Sequence, residues 1–498
     1  MELNKYSTEE IEELSLAARD YATAHGLLFV DAAQKKEDTN GATQVPLTLF
    51  PSPVPRNAFI QGVSVQKAYN KLYAKIANDF EFLKTHLESI TKYDKFMDKL
   101  WDLYMKHLDA NEKLKPELRQ PLALGIFRSD YMVNKDDQEV SSKQVEFNTI
   151  SVSFGGLSKM MANLHFYCSS SGLYKKTLEH NYLTVNTSIT GICSGISSAY
   201  NAYCEQAKGI TSTKLHATER IEPIVLFVVK DSERNICDQR LLEYDLLSRF
   251  KIRSKRVAIR HLDLLMRDDE SNKLYYKTPN GIFEVAIVYY RSGYALDDYP
   301  TNKEWEIRLM IENSLAIKCP TIATHLAGSK KIQQVLAESN ALEKFVHGDE
   351  LKAIESTFAD MYPLNDTPRG QEGIKLALEN SDDFVLKPQR EGGGNNTYGK
   401  DIPDLLNKLP KEEWDSYILM RYIKSLPSQN YILKGSVAEK YDVVDEIGIL
   451  GTIVWNTKTA EEINNGNAGY ICRTKPVSSH EGGVATGYAS LSSVDLID

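Results

Sequence analysis

Long hydrophobic runs are missing from this sequence. The longest strongly apolar stretches, Ile224 to Val229 and Val285 to Tyr290, fall far short of the roughly 20 residues that cross a bilayer, so no spanning helix is expected. The N-terminal stretch MELNKYSTEEIEELSLAARDYATAHG has no apolar core of the kind a secretory leader needs. Ser7 and Glu10 stand there at capping-box spacing and predict a helix start. Cysteine is sparse: Cys168, Cys193, Cys204, Cys237, Cys319 and Cys472 stand singly, with no CxxC pair and no Cys/His cluster. Free thiols in a cytoplasmic, reducing setting are therefore expected, rather than disulfides or a thiolate metal site. Positive charge is not in excess either. With 59 Lys and Arg against 68 Asp and Glu the net charge is -9, which argues against nucleic acid or an anionic membrane as partner and leaves room for a local basic cleft. The histidines do not cluster, and no G-x-S-x-G or H-E-x-x-H occurs, so hydrolase and zinc chemistry lack support.

What is present is a globular composition on 498 residues, too many for one core; at about 150 residues per domain, roughly two to four packed units are expected. The first 120 residues read as helical, with Val65, Tyr69, Leu72, Ile76 and Phe80 at helical spacing and a second stripe from Phe96 through Leu100 and Leu103 to Leu108. The proline-rich VPLTLFPSPVPR interrupts them and reads as an extended connector. From Leu122, LGIFRSDYM and KQVEFNTISVSFGG have strand composition and are expected to pair. From about Ile221 to Ala327, strand-like IVLFVV and VAIVYY alternate with helix-like stretches, the signature of a small α/β unit around a parallel sheet. The remainder, with DFVLK, YILMRYI and IGILGTIVW, reads as α+β.

Two segments carry chemistry. In Phe384 to Lys400, the glycines Gly392, Gly393 and Gly394 are flanked by Lys387, Arg390 and Lys400: backbone N–H groups unobstructed by Cβ, with cations, suit a phosphate. A plain hairpin tip is the bland alternative. A P-loop is a third reading, because Gly394 to Lys400 fits G-x-x-x-x-G-K, although Asp401 stands where the Mg²⁺-holding hydroxyl belongs. In Gln144 to Gly156, alternation puts Glu146 and Asn148 on one face and Val145 and Phe147 on the other. A carboxylate and an amide oxygen side by side are hard ligands for Mg²⁺, or else a solvated polar stripe. Arg128, Arg291 and Arg473 with Lys475 follow apolar runs, and at strand exits would suit carboxylate or phosphate capture; each alone is more often a surface ion pair. The glycine-rich His480 to Gly487 reads as a lid or a plain loop.

Taken in order, FRSDYM, KQVEFNTISVSFGGLS, ERNICDQ, YYRSGY, LAGSKKIQQ, LKPQREGGGNN, and RTK followed by EGGVA closely resemble eukaryotic-type glutathione synthetase from about residue 50 to the C-terminus. The resemblance implies a mixed α/β and α+β fold. Its ATP-grasp body would come from residues 1–219 and 328–498, with 220–327 inserted as a smaller α/β substrate-binding domain. It implies a ligase that joins γ-glutamylcysteine to glycine at the expense of ATP, with two Mg²⁺, as a homodimer; a P-loop-like kinase and a non-catalytic nucleotide-binding scaffold are the alternatives. Carried across by motif, Glu146, Asn148 and Glu391 are metal ligands. Arg128, Arg473, Gly392 and Gly393 are catalytic. ATP is assigned to Glu146, Lys330, Lys387, Glu391 to Asn396 (with Gly392, Gly393, Gly394 and Asn395), Tyr398, Met420, Arg421, Tyr422, Ile423, Glu446, Lys475 and Glu481. The peptide substrates are assigned to Arg128, Ile150, Ser151, Val152, Ser153, Glu233, Arg234, Asn235, Gln239, Arg291, Ser292, Gly293, Tyr294, Arg473, Val484 and Ala485. Arg421 departs from relatives, which often carry an acidic residue there.

Overall fold

A computed structural model describes residues 3–31, 41–135, 140–178, 184–211, 222–338, 340–389 and 394–498. Its helix Thr8–Ala24 begins at the expected capping box: Ser7 N–H donates to Glu10 Oε2, and Glu10 N–H donates to Ser7 Oγ. Helix Arg56–Ala77 buries Val65, Tyr69, Leu72 and Ile76, and helix Lys95–Lys113 buries Leu100 and Leu103. The proline-rich segment is more than a connector. Leu47–Thr48 joins the largest sheet, and Ser52–Pro55 pairs in parallel with Val494–Ile497. Prolines are tolerated there because a two-stranded ribbon leaves one edge without a ladder to complete. A further hairpin, Leu28–Val30 with Ala42–Gln44, also lies in the part read as helical.

The largest sheet has seven strands in the order Ser428–Lys434, Leu47–Thr48, Ser490–Ser492, Glu462–Pro476, Val437–Asn456, Leu122–Lys135 and Val140–Asn148. Directly paired residues share a face. On one face Phe127, Tyr131, Phe147 and Ile449 pack with Tyr69, Leu72 and Tyr73 of helix Arg56–Ala77, and the Phe147 and Tyr73 rings stack at 3.7 Å. The other face changes character along its length. Leu124, Ile126, Leu450 and Val454 pack under Ile192 and Ile196 of helix Ser188–Gln206, whereas the continuation, Arg128, Asp130 and Glu446, is charged. A second, four-stranded sheet, ordered Met361–Tyr362, Tyr417–Arg421, Phe384–Pro388 and Thr397–Tyr398, supplies Val385, Lys387 and Met420 to the cleft above that charged end.

Between these parts of the chain, Ile224–Val229 is flanked in parallel by Ser254–Ala258 and Gly281–Tyr290, and Ile317–Cys319 extends the last of these in parallel. The sheet is mixed rather than parallel throughout, because Leu274–Thr278 turns back on Gly281–Tyr290 through Pro279-Asn280 and pairs antiparallel with it and with Leu265–Arg267. LGIFRSDYM and KQVEFN pair antiparallel as expected, but the second half of the latter segment is not strand. Ser151 and Phe154 have positive φ, 52° and 68°, and helix Gly155–Ser170 starts there.

Candidate active site

The floor of the cleft is built by strand register. Arg128 pairs with Asn148 and Asp130 with Glu146, so these four side chains and Glu446, Arg473 and Lys475 from the next strands meet on one face. Arg128 and Arg473 lie inside long strands, not at strand exits; only Arg291 directly follows its strand. The expected alternation at Val145 fails. The register slips between Asp130 and Tyr131, leaving Val145 as the extra residue of a bulge, and it lines the cleft instead of joining Phe147 in the core. Its carbonyl accepts from Lys387 Nζ at 2.9 Å, which ties the four-stranded sheet to the floor. Asn148 Nδ2 donates to Asp130 Oδ2 at 3.1 Å and to Glu146 Oε1 at 3.2 Å. Two carboxylate acceptors can be met only by the NH₂ end, so the amide oxygen is left over, and with the Glu146 carboxylate it suits a hard cation. Among the described residues no group of three His, Cys, Asp or Glu is arranged to hold a metal. Glu391, the third expected ligand, lies with Gly392 and Gly393 outside the described residues.

Burial raises the affinity of the Glu146 carboxyl for protons, but Lys330, Arg128, Lys387 and Arg473 outweigh it and hold the group down at about 2. Burial also lowers Lys387, to about 8 against the pull of Glu146, and lowers Lys475. Glu446 is raised by burial, although Arg473 opposes it. In the free protein burial thus favours the neutral Lys387 amine from about pH 8 upward. If Lys387 holds ATP phosphates as the resemblance implies, kcat/KM for ATP should fall as pH rises through about 8, whereas kcat should hold to higher pH because bound phosphate favours the ammonium. A flat kcat/KM profile between about pH 7 and 9 would mean that Lys387 does not change charge in that range.

Lys330 opens helix Lys330–Leu336 and faces the same cleft. Lys475 Nζ donates to the His480 carbonyl at 2.7 Å, and the Tyr398 hydroxyl donates to the same carbonyl at 3.1 Å. The Tyr398 and His480 rings stack at 4.7 Å, and Gly394 N–H donates to Glu481 Oε2 at 2.6 Å, so the end of the glycine loop meets the C-terminal loop over the cleft. Asn396 and Tyr398 line it, as do Met420, Arg421, Tyr422 and Ile423; Gly394 and Asn395 are exposed and do not line it. Thr397–Tyr398 pairs antiparallel with Phe384–Pro388. A P-loop needs a strand-to-helix turn there, and this is a hairpin. Arg421 Nε donates to Asp360 Oδ2 at 3.1 Å, so a partner on the protein's own surface occupies its charge.

The cleft is open to solvent and, with that open space counted, encloses about 1360 Å³. On its far side stand Ile150, Ser151, Ser153 and Tyr294, with Val152 buried beneath. Val484 is buried and Ala485 exposed; Glu233, Arg234, Asn235, Gln239, Arg291, Ser292 and Gly293 do not line the cleft. Arg291 adjoins it: its carbonyl accepts from Ser151 Oγ at 2.8 Å, and its Nη2 donates to Ser153 Oγ at 3.0 Å. Glu233 accepts from Asn235 N–H at 2.9 Å, and Gln239 accepts from Arg256 Nη2 at 2.6 Å. Arg234 is turned onto the Phe29 ring, 5.6 Å away.

The family model for the ATP-binding domain of eukaryotic glutathione synthase matches residues 8–496. This chain belongs to the eukaryotic glutathione synthetase family. It is 68% identical over 496 residues to the glutathione synthetase large chain of Schizosaccharomyces pombe, covering 100% of both chains. It is 36% identical to glutathione synthetase of Xenopus laevis, covering 98% of each, and 36% identical to that of Homo sapiens, covering 97% of this chain and 96% of that one. Among solved structures, an apo glutathione synthetase-like effector from Globodera pallida shares the fold, with a TM-score of 0.75 at 23% identity over 99% of this chain and 98% of that one.

For a glutathione synthetase family member, the buried donors and acceptors without partners are informative. Asn235 Oδ1, Arg291 Nε, Ser292 Oγ and Arg473 Nε are buried with no hydrogen bond among the described residues, and all four belong to residues that the sequence resemblance assigns to the peptide substrates. Such atoms also occur elsewhere, as at Arg308, whose guanidinium lies 3.6 Å over the Tyr290 ring. Sequence reasoning missed Asp238. It is fully buried and accepts from Phe154, Gly156 and Leu157 N–H, from Asn235 Nδ2 and from Arg291 Nη2. Gly156 is required there, since a Cβ would stand 2.5 Å from the Asp238 carbonyl oxygen. Asp130 was also missed, although its place two residues after Arg128 on a strand was a usable signal.

Proposed function

We propose that the chain is an ATP-dependent ligase that joins γ-glutamylcysteine to glycine and releases glutathione, ADP and phosphate through an acyl phosphate. The supporting observation is the meeting in one cleft of Lys330, Lys387 and Lys475 with the oxygen donors Glu146 and Asn148 and with Arg128 and Arg473. A carboxylate is a poor acyl donor until it is phosphorylated. The step then needs positioning and charge neutralisation more than a protein nucleophile. In this reading the lysines hold the ATP phosphates, and Arg128 and Arg473 orient substrate carboxylates. The segment Met420 to Ile423 and Glu446 take the nucleoside, and Ser151, Ser153, Arg291, Val484 and Ala485 take the peptide side. Two Mg²⁺ ions, held by Glu146, Asn148 and Glu391, would supply charge neutralisation at the phosphate oxygens. Gly392 and Gly393 cover the phosphates from the loop.

The division of the chain into 1–219 and 328–498 as body, with 220–327 inserted, is part of the proposal, as is action as a homodimer. Six free cysteines support a cytoplasmic setting. No described helix is long and apolar enough to cross a membrane. The kinase alternative loses its footing because Gly394 to Lys400 forms no P-loop. The scaffold alternative is disfavoured by intact cations and oxygen donors. With ¹⁸O in the cysteinyl carboxylate of γ-glutamylcysteine, turnover should place one labelled oxygen in inorganic phosphate. Label in AMP, or pyrophosphate among the products, would sink the acyl phosphate, and product that keeps the phosphoryl group would revive the kinase.

A further inference from the structure

One carboxylate on the cleft floor has no role in the reading above, yet both catalytic arginines converge on it. Asp130 is fully buried. Its Oδ1 accepts from Arg128 Nε at 2.6 Å, and its Oδ2 accepts from Arg128 Nη2 at 2.6 Å, Arg473 Nη2 at 2.9 Å and Asn148 Nδ2 at 3.1 Å. The bidentate contact fixes the plane of the Arg128 guanidinium and uses only one of its edges, leaving Nη1 on the other. Arg473 is held by one nitrogen: its Nη2 also donates to Glu446, while its Nε, buried, has no hydrogen bond among the described residues. Both guanidiniums therefore keep donors for a further acceptor.

The backbone below makes room for this arrangement. Gly448 pairs with Asp130 on the neighbouring strand, and a Cβ there would stand 2.7 Å from Asp130 Oδ1 and 2.8 Å from Arg128 Cδ. Arg128 and Asp130 thus lie flat across a position that must lack a side chain. Any side chain at 448 would lift the pair towards the cleft and turn the guanidinium. Since Arg128, Asp130 and Arg473 come from two non-adjacent strands with Gly448 between them, the carboxylate and the glycine act as a unit.

We propose that Asp130, seated on Gly448, is the positioning residue of this site: it sets the planes of Arg128 and Arg473 so that their remaining N–H groups face the substrate carboxylates. It acts through the arginines and does not itself touch substrate. The proposal rests on the ligase reading. It specifies that Asp130→Asn, which keeps the shape but turns two accepting positions into an NH₂ group facing guanidinium N–H, and Gly448→Ala, which keeps the carboxylate but displaces it, damage the same step.

The experiment measures KM for γ-glutamylcysteine and for glycine, KM for ATP, kcat and melting temperature for the full-length wild type, Asp130→Asn and Gly448→Ala. Displaced supporting groups of this kind typically cost about 10- to 100-fold. Both variants are expected to raise KM for one or both carboxylate substrates by at least about 10-fold, and KM for ATP by clearly less, through the Asn148 contact alone. A merely structural role would lower the melting temperature and leave the KM values together, and that result overturns the proposal. So does a Gly448→Ala protein with wild-type KM values, because the seat would then be irrelevant. A wild-type protein that releases no ADP with both substrates overturns the ligase reading itself, an outcome separate from any difference between variants.

Discussion

A Glu146→Gln protein is expected to stay folded and to turn over at least about 100-fold more slowly than the wild type, the scale on which a single charge-stabilising group at a reacting centre is usually felt. The side chain lies at the meeting of Lys330, Arg128, Lys387 and Arg473, whose combined field holds its carboxyl at about 2 despite burial. Replacing it with an isosteric amide keeps the volume and the acceptor oxygen for Asn148 Nδ2, but removes a negative charge that balances those cations and can share a divalent ion with phosphate. Steady-state rates against Mg²⁺ concentration would check this, and near-normal turnover at ordinary Mg²⁺ would exclude Glu146 as a ligand. The same substitution has a signature in stability. A carboxyl held at about 2, against an ordinary value of 4.5, contributes stability above about pH 4.5 and loses it as the pH falls towards 2. The acid side of the stability profile should therefore be shallower in Glu146→Gln. Glu391→Gln is expected to act on turnover in the same direction.

Asp238→Ala should destabilise the protein by about 3–5 kcal/mol, the range for breaking a buried ion pair by removing one partner. The substitution would leave Arg291, itself buried and raised in proton affinity by Tyr289 and Asp238 against the opposing effect of burial, without its carboxylate. It would also strip the acceptor from the N–H groups of Phe154, Gly156 and Leu157 at the start of helix Gly155–Ser170. Because Arg291 holds Ser151 and Ser153, the damage should reach the side of the cleft proposed for the peptide: KM for γ-glutamylcysteine should rise, and KM for ATP should change little. Denaturant unfolding together with the two KM values tests both consequences. Asp238→Asn, which keeps acceptor capacity, should fall between. An Asp238→Ala protein within about 1 kcal/mol of wild type would mean that the network is not the anchor described.

Part of this was legible in the chain. The capping box at Ser7, the helical stripes of Val65 to Ile76, the pairing of LGIFRSDYM with KQVEFN, and Glu146 with Asn148 on one face all follow from periodicities of 3.6 and 2, which neighbouring residues carry by themselves. So did the cationic residues and glycines around Lys387, and the order of the motifs that matched a family. What the sequence by itself determined is thus the local elements and the residue types available for phosphate and carboxylate chemistry. Tertiary structure decided the rest. The slipped register that turns Val145 into the cleft depends on which strand lies opposite, and alternation cannot report a bulge. The hairpin that denies Gly394 to Lys400 a P-loop geometry depends on pairing with Phe384–Pro388, and the proline-rich segment became strands only because Val494–Ile497 and the large sheet lay beside it. Asp130 meets Arg473 across 343 residues of chain, and Asp238 meets Phe154 across 84. A carboxylate gains its meaning from the donors around it, and those donors become neighbours only when distant segments are folded onto one face.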